Sequence, residues 1–66
     1  MTIILKNLRT GLFLDRSGNW SAKAKAALPF QTTVEAERYC HKHRYFGTAI
    51  MARFRDPRHD MALSRY

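Results

Sequence analysis

Cys40 and His43 stand three residues apart, one turn of a helix, and His41, His59 and Asp60 add further possible metal ligands. A zinc site needs about four ligands converging tetrahedrally, and only Cys40 and His43 have convincing spacing for it. A thiolate nucleophile paired with a histidine would also need an accessible thiol, whereas Cys40 falls on an apolar helical stripe, where a thiol is inert. Both residues are therefore read as structural, with Cys40 buried, His43 at the core edge and no metal. The five Asp and Glu residues are scattered, so no pair is placed for acid/base work. Neither a glycine-rich phosphate loop nor a nucleophile elbow is present. The sequence is read as non-enzymatic, with no cofactor and no small-molecule substrate expected.

Binding chemistry is better represented. Twelve Lys and Arg against five Asp and Glu give a formal net charge of +7. A charge of that size on a short chain steers anions toward its surface, which favours nucleic acid, an anionic membrane surface or an acidic protein as partner. Two groups of cations stand out. Arg38, His41, Lys42, His43 and Arg44 run to the end of a helix and continue at Arg53, Arg55, Arg58 and His59. They could form a phosphate-binding ridge, but no phosphate-cradling glycine loop interrupts them, and the preferred reading is a solvated helix face and tail. The second group is Lys6, Arg53 and Arg55, which alternate with Phe13 and Met51 on one face of a sheet, with Trp20 beside them at an angle the sequence leaves open. Aromatic rings interleaved with cations on an open sheet can stack bases and hold phosphates.

The elements that place these residues follow from period and turn chemistry. Residues 2–6 are β-branched and apolar, Asn7 to Gly11 is a polar turn, and Leu12-Phe13-Leu14 returns as a second strand. Asp15 to Asn19 is almost pure turn chemistry, after which Trp20 starts a third extended stretch. Residues 21–28 mix alternation with high alanine content and are read as a short helical turn or irregular connector ended by Pro29. Thr32-Thr33-Val34-Glu35 matches a capping box, in which Thr32 bonds the Glu35 amide and Glu35 reaches back to the cap. The helix that follows carries Ala36, Tyr39, Cys40 and His43 on one stripe, and Gly47 is the expected C-terminal cap. Residues 48–54 alternate as a half-buried strand closed by Asp56-Pro57. Residues 58–66 read as a tail that packs back, pairs with another chain or frays.

The layout of Lys6-Asn7, Thr10-Gly11, Phe13-Leu14, Gly18 and Trp20, then Phe30, Thr33 to Ala36 and Asp56-Pro57, resembles a type of short bacterial protein with a β-β-α-β order and no assigned activity. The resemblance implies the architecture and carries over no catalytic residue.

The fold expected is one α+β domain over residues 1–66, an antiparallel sheet of three to four strands with one helix on one face. Sixty-six residues bury only about 60% of the unfolded surface, and a single cysteine leaves no internal disulfide to compensate. The Ile3-Ile4-Leu5 run is too short for a signal-peptide core or a membrane span, so a cytoplasmic location is expected. If Ile3, Leu5, Leu12, Leu14, Ile50, Ala52 and Phe54 face the helix, Ile4, Lys6, Phe13, Met51, Arg53 and Arg55 face away, and a one-residue slip would exchange the two sets. The leading expectation is an interaction module that self-associates as a homodimer through this open face. The alternative is nucleic-acid binding by Lys6, Phe13, Trp20, Arg53 and Arg55 on the same face.

Overall fold

The computed structural model describes residues 2–54 and 61–66. Thr2–Asn7 forms β1, Phe13–Leu14 β2, Trp20–Ser21 β3, Thr33–His43 the helix α1, Thr48–Arg53 β4 and Met61–Arg65 β5. The strands make one antiparallel sheet in the order β3-β2-β1-β4-β5. The architecture is α+β with one helix on the sheet, as expected, but the sheet has five strands and not three to four.

The additional strand comes from the region read as a tail. Met61–Arg65 pairs with β4, and Ile50 faces Ser64 while Met51 faces Ala62, so Leu63 is an extra residue, a bulge. The bulge breaks the period-2 alternation that would have announced a strand. Beyond it, the Tyr66 amide donates to the Thr48 carbonyl at 2.8 Å and the Gly47 amide to the Tyr66 carbonyl at 3.0 Å.

The turns form where their residue types demand. Asn7 Oδ1 accepts from the Arg9 and Thr10 amides, and Asp15 Oδ1 accepts from the Ser17 amide, the Ser17 hydroxyl and the Asn19 amide. Ala24–Ala26 is a single 3-10 turn, in line with the connector expected there. The chain then runs back beside the sheet. The Leu28 amide donates to Leu14 and the Phe30 amide to Ile3, with Pro29, which has no N–H to place, between them.

At the helix start, Thr32 Oγ1 accepts from the Glu35 amide at 3.2 Å, as the capping box requires. The reciprocal bond differs: Glu35 Oε2 accepts from the Gln31 amide at 3.3 Å, one residue before the cap. The helix end also departs from expectation. Arg44, at φ 55° and ψ 46°, terminates α1 in the left-handed region, and the Tyr45 amide donates to the Cys40 carbonyl at 2.9 Å. The reversal at Arg44 drops the Tyr45 ring back among Trp20, Tyr39 and His43, at centroid distances of 5.3, 6.1 and 5.2 Å. Gly47, the expected cap, instead serves the turn into β4 at φ 72°, where its carbonyl accepts from the Leu8 amide.

The core lies between α1 and the sheet. Ile3, Leu5, Leu14, Ala36, Cys40 and Ile50 form its buried cluster, rimmed by Trp20, Leu28, Phe30, Tyr39, Tyr45 and Tyr66. The expected stripe Ala36, Tyr39, Cys40 faces the sheet, while His43 is exposed and lies against Tyr39 and Tyr45. No described helix is long and apolar enough to cross a membrane.

Candidate functional site

The strand registers arrange the face turned away from α1 into cross-strand rows. Phe13 faces Lys6, Lys6 faces Ala49 and Ala49 faces Arg65, so one row crosses four strands. Ile4, Met51 and Ala62 make the next row, and Thr2 with Arg53 the one after. Residues directly opposed in antiparallel strands project to the same face. Lys6, Phe13, Met51 and Arg53 therefore share the far face, and Lys6 Nζ lies 5.7 Å above the centre of the Phe13 ring.

This face is less open than a bare sheet. Ile4 is 2% and Ala49 1% exposed, although neither belongs to the cluster under the helix. Arg53 Nη1 donates to the Ala24 carbonyl at 2.9 Å, which ties the connector to this side of the sheet. What remains accessible is cationic and aromatic, with Met51 and Ala62 as the apolar part. Lys6, Phe13, Met51 and Arg53 are half-buried and Arg65 is exposed.

Among the described strand residues, every charge on the far face is positive: Lys6, Arg53 and Arg65. The described carboxylates lie elsewhere. Glu35 and Glu37 are on α1, and Asp15 is folded into its own loop. The Ser17 hydroxyl, followed by the Asn19 amide, holds the Asp15 carboxyl below its ordinary value.

The other sequence candidates separate from this group. Trp20 pairs with Leu14, so its ring lies on the helix side, edge-on to Tyr45, and not with Phe13. A two-residue strand has no periodicity from which that side could be read. Arg55 lies outside the described residues, as do Arg58, His59 and Asp60. Cys40 is fully buried, and burial, with a smaller effect of Glu37, pushes its thiol up to about 11, so it is neutral at pH 7. No three His, Cys, Asp or Glu gather to hold a metal among the described residues.

The helix-end ridge is partly engaged. His41 Nδ1 and the Tyr66 hydroxyl share a 2.6 Å hydrogen bond, and the His43 ring stacks on Tyr45 at 16°. Arg38 and Lys42 border an open groove of about 360 Å³ with Phe30, Glu35 and Tyr39, a feature that sequence spacing did not indicate. Sequence reasoning also missed Arg65, because the bulge at Leu63 conceals which face it takes. No protein-family model, no curated protein and no solved structure matches this chain significantly, so its function has to be read from its own residues.

Proposed function

We propose that this protein is a non-enzymatic module that binds single-stranded nucleic acid on the far face of its sheet. The observation that carries this reading is the segregation of charge: the strands send only cations to that face, around one accessible aromatic ring. A polyanion with stackable bases complements both features. A second copy complements them less well. Two of the apolar side chains on the face, Ile4 and Ala49, are already buried within the chain, which leaves Met51 and Ala62 as its accessible apolar surface, and a two-fold axis there would oppose like charges.

Energies favour an exchange at Phe13. An exposed cation–π contact such as Lys6 over Phe13 contributes roughly 0.5 to 1 kcal/mol. Stacking of a base on an aromatic side chain contributes roughly 1 to 3 kcal/mol. A base therefore displaces the ammonium from the ring and leaves it beside the phosphate of the same nucleotide.

Fluorescence anisotropy with a labelled ten-nucleotide oligouridylate, titrated from low to high salt, tests the reading. Affinity should fall steeply as salt rises, and Phe13→Ala should weaken it roughly 5- to 150-fold, the equivalent of one lost stack. Absence of binding at low salt overturns the proposal. Equal affinity for polyglutamate, unaffected by Phe13→Ala, would replace nucleic acid with an acidic protein.

A further inference from the structure

We infer that the bound strand crosses the sheet along the single row Phe13, Lys6, Ala49, Arg65, with a base on Phe13 and phosphates at Lys6 and Arg65. The inference rests on the far face being the nucleic-acid surface, and adds the strand's path and a contact residue, Arg65.

Three observations select this row. First, of the three rows on the face it alone combines an aromatic ring with more than one cation. The central row holds Ile4, Met51 and Ala62, which offer no charge. Second, the residue between Lys6 and Arg65 is Ala49, whose methyl group lies buried beneath its neighbours, so no long side chain of the row itself separates the two cations. Neighbouring strands lie about 4.8 Å apart, which puts the Lys6 and Arg65 backbones about 10 Å apart, a gap that two long side chains readily adjust. Third, the one cation of the remaining row, Arg53, is held by the Ala24 carbonyl and is committed to the fold. The path therefore runs perpendicular to the strands and ends at the β5 edge, where Arg65 is exposed.

The test compares Lys6→Ala, Arg65→Ala and Phe13→Ala with Lys42→Ala on α1 as control, using the same oligouridylate across a salt series and far-ultraviolet circular dichroism to verify folding. Lys6→Ala and Arg65→Ala should each lower the slope of log affinity against log salt by about 0.7, the contribution of one phosphate on a single strand. Phe13→Ala should weaken binding with the slope unchanged, and Lys42→Ala should change neither. Arg65→Lys should restore the slope lost in Arg65→Ala, which a purely structural role would not require. If Phe13→Ala and Lys6→Ala weaken binding but Arg65→Ala leaves affinity and slope unchanged, the path is wrong and the surface stands. If wild-type protein binds no oligonucleotide, surface and path fall together.

Discussion

The two faces of the sheet are built from the same strands, one residue out of phase, yet they are closed by different means. On the helix side Leu5, Leu14 and Ile50 are fully buried, and α1 with its belt of Trp20, Tyr39, Tyr45 and Tyr66 seals them in. On the far side Ile4 and Ala49 are equally inaccessible, but no helix packs there, and the connector at Ala24 is joined to Arg53 by one hydrogen bond. The described residues hold one α-helix, which can cover one face only. The difference teaches that stability is concentrated on one side, which leaves the polar rows of the other available for recognition.

The largest effect should come from breaking the helix face. Ile50→Ala removes a fully buried side chain from the central cluster and should cost about 2 to 5 kcal/mol. That is a large share of the roughly 3 to 10 kcal/mol that a domain of this size possesses. Urea denaturation followed by circular dichroism should show a midpoint well below that of wild type, and a stability within about 1 kcal/mol of wild type would place the core elsewhere.

A smaller effect on the same face is chemical. The folded Cys40 thiol titrates near 11 against an ordinary value of 9.0, because burial disfavours the thiolate. The unfolded chain therefore loses its proton first. The contribution is fully present below pH 9 and disappears as pH rises through 11, a loss of up to roughly 2 to 3 kcal/mol. Tyr45, raised mainly by burial as well, acts in the same direction. The difference between wild type and Cys40→Ala in urea midpoint at pH 8 and pH 11 isolates the thiol, and parallel behaviour of the two proteins would show Cys40 to be solvated.

The far face should yield the smallest change in stability. Arg53→Met keeps the stem and removes the bond to Ala24, at a cost of about 1 to 2 kcal/mol, while nucleic-acid affinity changes by less than in Lys6→Ala. A variant as stable as wild type but with weaker binding than Lys6→Ala would move Arg53 from scaffold to contact residue.

Much of this is legible in the residues themselves. The Thr32 cap, the Asp15 loop and the alternation after Thr48 rest on local chemistry, and each formed where the residues indicated. The far-face group Lys6, Phe13, Met51 and Arg53 follows from the same alternation. β5 was illegible because one bulged residue, Leu63, erases the period of a five-residue strand. The helix end was misread because a positive φ at Arg44 is disfavoured locally and is stabilised by distant rings, those of Trp20 and Tyr39 around Tyr45.

The sequence by itself determined the local events: where turns fall, where α1 begins, and which residues of β1 and β4 share a side. These depend on neighbours within about four positions or on a period of two. Only the tertiary structure decided that Trp20 lies with Tyr45, that Arg53 holds the connector, and that Arg65 joins Lys6 in one row. Each of those depends on pairing between segments far apart in the chain, and cross-strand register carries no signature in any single stretch of residues.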